Sequence, residues 1–273
     1  MIIWLASYPK SGNTWVRAFL ASYLYINSPE TLFEKMSKIR AFPKKNYFEG
    51  IVKEEDIKKN PMIIFKYFIE AQKKYNQNKS LKILKTHNFW GSIDGHEFSN
   101  LENTYGGIYI VRDPRSVAVS YAHHAKLSLE DSVDALLNEN RLGTNNEFYY
   151  EARSSWKSHY LSWMGSPVPK ILIKYENLIE EPFEQFKKIL EFINKFLDKK
   201  IIIDEQKIEQ AINESSFKNL SKLEENQPFP EKLNDVKFFR KGISEEWKKV
   251  LNPELVKKIE DCFSDEMKNL NYI

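Results

Sequence analysis

Four short, mainly apolar runs, each followed by a turn or a stretch of helical periodicity, constrain this chain more than any other feature. They are Ile2–Ala6, Leu81–Lys85, Gly107–Val111 and Lys170–Lys174. Continuous apolar character without polar alternation suits parallel strands covered on both faces. After the first run, WVRAFLASYLY (Trp15–Tyr25) carries a helical apolar stripe, with Thr14 near its start. After the third, Asp113 fits an N-cap and Pro114 the first helical position. After the fourth, Glu181 and Pro182 precede FEQFKKIL, Phe183 to Leu190. The repeated strand-to-helix order predicts an α/β fold with a mostly parallel central sheet.

The remaining segments are less regular. Between Asn27 and Ser80 the apolar positions Phe33, Met36, Phe65, Tyr67 and Phe68 predict helices packed over the sheet. Ser221–Asn234, rich in Glu, Asn and Pro, reads as a mobile loop. Ser244–Asn271 reads as helical with an interruption at Asn252 and Pro253. No repeat or composition break divides the chain, so its 273 residues are expected to form one domain. Cys262 has no partner for an intrachain disulfide and is expected on a buried or half-buried helix face, which points to the cytoplasm. The start MIIWLASYPKSG has no basic region before its short apolar run and reads as a strand rather than a leader. No stretch approaches the roughly 20 apolar residues of a membrane span. With 41 basic and 38 acidic residues the charge is too nearly balanced for nucleic acid to be an expected partner.

The stretch SYPKSGNTW, Ser7 to Trp15, lies at the carboxyl end of the first expected strand. In an α/β sheet that end is where ligands bind. Gly12 permits a tight turn, the following N–H groups can face an anion, Lys10 adds a charge, and Asn13 and Thr14 add donors. The stretch lacks the G-x-x-x-x-G-K-[ST] spacing, and no acidic strand for magnesium is evident, so it points to phosphate without choosing a reaction. Three further clusters narrow the choice. ILKTH (Ile83 to His87) ends the second strand with Lys85 and His87, a cation and a group suited to acid–base work. YIVRDPR (Tyr109 to Arg115) ends the third with Arg112, whose planar fork can grip a phosphate, and Ser120 follows on the helix. FFRKG (Phe238 to Gly242) sets two cations beside a glycine. Taken singly these could be a structural histidine, a salt-bridged strand end and a solvated charge run. No cluster has metal-ligand spacing, so no metal is expected.

Together these residues resemble the cytosolic-type sulfotransferases that use 3′-phosphoadenosine 5′-phosphosulfate (PAPS). SYPKSGNTW is similar to the family's 5′-phosphosulfate loop, and YIVRDPRSVAVS (Tyr109 to Ser120) to its 3′-phosphate segment. KTH (Lys85 to His87), YEN (Tyr175 to Asn177), Ser216 with Phe217, and RKG (Arg240 to Gly242) follow in the family's order and approximate spacing. The resemblance implies a three-layer, P-loop-like fold. It implies that Lys10 meets the bridging and sulfuryl oxygens, and that Ser11, Gly12, Asn13 and Thr14 cradle the 5′-phosphate. Trp15, Tyr175 and Phe217 would surround adenine with Ser216 nearby, and Arg112, Ser120, Arg240, Lys241 and Gly242 would hold the 3′-phosphate. Lys85 would stabilise the transferring group, and His87 would act as general base. The spent donor would leave as adenosine 3′,5′-bisphosphate (PAP), with no metal required.

Departures from the family pattern suggest a divergent microbial member. His87 is followed by NFWG (Asn88 to Gly91) rather than Leu-Pro, and the usual Thr-Val dimerisation pair meets Asn252 and Pro253 instead, which weakens the expectation of the family dimer. Phe89, Trp90, Tyr121, His123 and His124 are candidates for an acceptor pocket, with packing or surface roles on the helix after Arg115 as the alternative for Tyr121, His123 and His124. The expected acceptor is a small molecule with a hydroxyl or amine, and glycans and lipids stay beside it. Two rivals remain: a magnesium-dependent phosphotransferase of the P-loop class, and a non-catalytic module that binds adenosine bisphosphate.

Overall fold

The computed structural model describes residues 1–78, 80–144, 149–227, 229, 231, 237–239 and 245–273. The four apolar runs form one parallel sheet: β1 (Ile2–Ser7), β2 (Lys82–Thr86), β3 (Thr104–Val111) and β4 (Lys170–Lys174), in the order β2-β1-β3-β4. Every residue of β1 is buried, as expected of a central strand hydrogen-bonded on both edges. Along β1 and β3 successive side chains enter opposite cores, because strand side chains alternate between faces. Ile2, Trp4, Ala6, Tyr109 and Val111 pack on one face, and Ile3, Leu5, Ile108 and Ile110 on the other.

Helices cover both faces and complete a three-layer α/β arrangement. One layer holds α1 (Asn13–Leu24), Pro182–Asn194 and Glu205–Glu214, joined by Phe19 and Phe186, whose rings stack at 3.8 Å. The other holds α2 (Pro114–Ala125), Leu129–Leu137, Trp156–Gly165 and Pro253–Asn269. Phe33, Met36, Phe65 and Phe68 are buried over the sheet on short helices, as the sequence pattern predicts.

Several boundaries differ from the sequence reading. β3 starts at Thr104, ahead of Gly107, because Thr104 and Gly106 pair with Ile2 and Ile3 across a register shift, and two glycines mask the strand pattern. The expected mobile loop from Ser221 is in part a helix, Phe217–Asn226, held by buried Leu220 and by buried Glu224, which accepts from Phe238 N and Phe239 N; its other polar residues occupy the outer face. The tail breaks where expected: Asn252 caps Pro253–Asn269 by accepting from Leu255 N at 2.8 Å. Cys262 lies on that helix but is exposed, because the face one residue further on carries buried Phe263. Among the described residues no helix is long and apolar enough to cross a membrane.

The chain leaves β1 for β2 on one side and crosses back to β3 on the other. Such a reversal opens a crevice beyond the strands' carboxyl ends. A cavity of about 660 Å³ lies there. An extra short pairing extends its wall: Lys85 N donates to Arg40 O at 2.9 Å and Phe42 N to Lys85 O at 2.8 Å, with Ala41 bridging Lys85 in parallel.

Candidate active site

Each strand delivers a side chain to the cavity from just past its carboxyl end: Lys10 after β1, His87 after β2, Arg112 after β3 and Tyr175 after β4. The loop after β1 turns through left-handed residues at Lys10 (φ 68) and Gly12 (φ 105). Gly12 is required twice, since its φ disfavours any side chain and an added Cβ would fall 2.5 Å from the Tyr175 ring. Gly12 O accepts from Trp15 N at 3.0 Å and starts α1, yet no side chain caps the helix. Its first N–H groups and the positive end of its dipole therefore face whatever occupies the loop. Ser11 Oγ is fully buried and has no hydrogen-bond partner among the described residues. Thr14 and Trp15 line the cavity, and the Trp15 ring meets Tyr175 edge-on at 6.1 Å. Asn13 departs from expectation. Its Nδ2 donates to Leu5 O at 3.0 Å and to Ser7 Oγ at 3.3 Å, so the side chain ties α1 to β1.

Arg112 Nη1 donates to Lys10 O at 3.1 Å, and its guanidinium lies 4.3 Å from the centre of the Tyr175 ring. Ser120 lines the same cavity from α2. Asp113 caps α2 by accepting from Arg115 N at 2.9 Å. It also forms a fork with the Arg115 guanidinium, which reaches Glu260 and Tyr272 O near the C-terminus and stacks on Trp247 at 3.8 Å. The Asp113–Arg115 pair thus fastens the cavity wall to the last helix.

His87 is half-buried, with Nδ1 2.7 Å from Ser7 O. A carbonyl can only accept, so Nδ1 carries the proton and the neutral ring presents a bare Nε2. Burial, followed by the charges of Lys85 and Arg153, holds the ring's pKa well below the ordinary histidine value. His159, fully buried, supports it from behind: its Nε2 donates to His87 O at 3.2 Å and its Nδ1 lies 2.8 Å from Tyr109 Oη. Lys10 lies 3.9 Å over the Phe238 ring. Burial first, then repulsion from Arg112 and Lys85, lowers the Lys10 ammonium to about 7. Lys85 Nζ donates to Glu231 Oε2 at 2.6 Å, and Arg17 Nη1 binds the other oxygen. Despite its burial, the Glu231 carboxyl is held well below the usual range by these two cations.

Lys10, Gly12, Asn13, Thr14, Trp15, Lys85, His87, Arg112, Ser120, Tyr175 and Phe217 therefore border one cavity. Ser216 does not: its hydroxyl accepts from Asn219 N at 3.4 Å and caps Phe217–Asn226. Arg240, Lys241 and Gly242 lie outside the described residues. Of the acceptor candidates, Tyr121, His123 and His124 line the cavity. Trp90 instead packs edge-on against Trp163 at 5.3 Å, and Phe89 fills the space beside Gly91. Glu231, Arg17, Arg40 and Arg153 escaped the sequence reading. No local pattern marks them, since their placement depends on contacts across the fold.

The sulfotransferase domain family matches residues 2–271. A flavonol sulfotransferase-like protein of Flaveria bidentis is 27% identical over 288 residues, covering 99% of this chain and 83% of the relative. Cytosolic sulfotransferase 13 of Arabidopsis thaliana is 26% identical, covering 96% of this chain and 76% of its own. Among solved structures, mouse sulfotransferase SULT7A1 complexed with PAP superposes with a TM-score of 0.64 at 18% identity, over 98% of this chain and 85% of that one. Retinol dehydratase in complex with retinol and PAP gives a TM-score of 0.64 at 19% identity, over 98% and 81%. The fold and site define a transferase of the three-layer α/β class. The chain belongs to the sulfotransferase domain family.

Proposed function

We propose that this enzyme moves a sulfuryl group from PAPS to a hydroxyl or amine of a small molecule in the cytoplasm, with His87 as general base. One observation carries the reading. His87 turns a bare Nε2 toward the cavity that Lys10, Lys85 and Arg112 also line, next to an uncapped helix start. The residues present suit PAPS: the α1 N–H groups and the unpartnered Ser11 Oγ offer donors to its 5′-phosphate, and Arg112 with Ser120 offers a fork and a hydroxyl to its 3′-phosphate. Trp15, Tyr175 and Phe217 supply ring surface for adenine. Arg240, Lys241 and Gly242 complete the 3′-phosphate clamp in this reading. Structural neighbours complexed with PAP, and relatives that are flavonol sulfotransferases or similar to them, agree with such a donor and with hydroxyl acceptors.

His87 Nε2 takes the proton of the acceptor hydroxyl as that oxygen attacks sulfur. The bond from sulfur to the bridging phosphate oxygen breaks in line, and PAP departs with the electron pair. Lys10 and Lys85 meet the charge that grows on the bridging and sulfuryl oxygens, where fixed cations lower the barrier. Glu231, which accepts from Lys85 Nζ at 2.6 Å, holds that ammonium at the cavity. Incubation with sulfur-labelled PAPS and an acceptor panel, followed by mass spectrometry, is expected to give a labelled sulfate ester or sulfamate. Tight ATP binding with no affinity for PAP would instead support the phosphotransferase rival. PAP binding with no transfer would leave the binding module.

A further inference from the structure

The charged groups lining the cavity are unequal: eight lysines and arginines against three glutamates among the described residues. Glu231 already bridges Arg17 and Lys85. Lys10 and Arg112 belong to the donor half. Of the four cations that remain, Lys237 pairs with Glu225, and Arg40, Lys44 and Arg153 line the cavity with Tyr121, His124 and Thr144, Arg153 near enough for its charge to act on both His87 and His124.

Arg153 is built into the cavity wall. The antiparallel ribbon Leu142–Thr144 with Tyr150–Ala152 carries it, and its guanidinium occupies the space a side chain at Gly143 would fill, with Cζ 2.0 Å from that Cβ position. Glu151, only 5% exposed, accepts from Arg153 Nη2 at 2.7 Å and Nε at 3.2 Å, and Thr144 O accepts from Nη2 at 3.2 Å. Nη1 has no hydrogen bond among the described residues. The fork is held rigid on one edge and left open on the other. Arg40 sits on the segment that hydrogen-bonds to Lys85, two residues before His87, and forms no ion pair among the described residues. A half-buried guanidinium with an open edge is a poor lining for a neutral apolar acceptor and a strong one for an oxyanion, since charge-assisted hydrogen bonds are the strong ones.

We propose that the acceptor is a hydroxyl compound carrying an anionic oxygen group, a carboxylate or a phosphate, which Arg153 Nη1 and Arg40 hold while the hydroxyl lies at His87. This rests on the sulfuryl-transfer reading above and adds the class of acceptor to it. The wall then does two things. It orients the acceptor by its far end, and it leaves a neutral hydroxyl compound of the same shape without its main polar contact.

The test uses matched pairs on the full-length protein: 4-hydroxyphenylacetate with its methyl ester, and a hydroxybenzyl phosphonate with its dimethyl ester. Binding to the PAP complex and turnover with PAPS are both read. At least one acid is expected to exceed its ester by about 10-fold or more in affinity and in kcat/KM. The carboxylate and phosphonate arms decide which oxyanion fits. Arg40→Gln, and Glu151→Gln combined with Arg153→Gln so that no carboxylate is left buried alone, are expected to bring the acid-to-ester ratio toward unity. No acid that outbinds its ester, whether both bind or neither does, overturns the inference while PAP binding keeps the donor site standing. A ratio unchanged in both variants overturns it as well. Absence of PAP binding itself would remove the sulfuryl-transfer reading and this inference with it.

Discussion

The two halves of the cavity are built differently. On the proposed donor side, Lys10, Arg112 and Tyr175 follow closely on strands of one sheet, and the pairing of β3 with β1 and β4 fixes their spacing through backbone register. On the proposed acceptor side, Arg40, His124 and Arg153 come from a loop, a helix end and the residue just after a three-residue strand. Strand-to-strand backbone hydrogen bonds dictate the first half; in the second, Arg40 rides on a loop bonded to Lys85 and the Arg153 fork is set by its side-chain ion pair with Glu151. A half fixed by backbone is expected to tolerate no change in loop geometry. A half fixed by side chains can change its ligand without disturbing the donor.

The sharpest test stands at the border of the halves. His87→Ala is expected to lower kcat by about 100- to 10,000-fold, the range for loss of a general base, while calorimetry still detects PAP. Near-full activity at neutral pH would remove His87 from the mechanism. Next is Gly12→Ala, which imposes a left-handed conformation on alanine and drives its methyl into Tyr175. Strain of about 1–3 kcal/mol is expected, read as a lower melting temperature and a PAP affinity weakened by about 10-fold. Unchanged affinity would show that the loop is not governed by backbone geometry.

Protonation separates the halves more gently. Lys10 is lowered to about 7, so the free protein loses its ammonium as pH rises through that value, whereas a bound anion favours the charged form. PAP affinity is therefore expected to weaken as pH rises above about 7, and Lys10→Met should flatten the dependence in a calorimetric pH series. His87 has its sign set by a different requirement. A general base must be unprotonated, and a pKa well below the ordinary value leaves it so at neutral pH. The acid limb of kcat is thus expected well below pH 6.5; a limb above pH 7 would contradict the environment described. The smallest effect belongs to Ser216→Ala. Loss of this cap should cost about 0.5–2 kcal/mol of stability by thermal melting, and a large loss of PAP affinity would return Ser216 to the donor site.

The fold was legible where local chemistry and global position agree. Apolar runs bounded by turn and helix-start signals suit strands, so β1, β2 and β4 fall close to their expected bounds, although only central β1 is buried throughout. Asp113 with Pro114 marks the start of α2 because capping is decided within a few residues. The helix Phe217–Asn226 was hidden because its stripe is short and its outer face polar. Cys262 and Trp90 show the same limit from the other side: residue type suggests burial or a pocket, but only neighbouring elements decide which face is covered.

By itself, the sequence determined the strand-to-helix order, the tight turn at Lys10–Gly12 and the His87, Arg112 and Tyr175 positions that end the other strands. Each depends on interactions within a few residues, or on a sheet register that the apolar runs enforce. Only the tertiary structure decided that His87 exposes Nε2, because Ser7 O must come within 2.7 Å of Nδ1 from another strand. It alone placed Glu231 between Arg17 and Lys85, and set Arg153 against Gly143 and Glu151 with one edge open. Electrostatic pairing acts between groups distant in the chain, so its outcome is written in the packed molecule and not in any short stretch of residues.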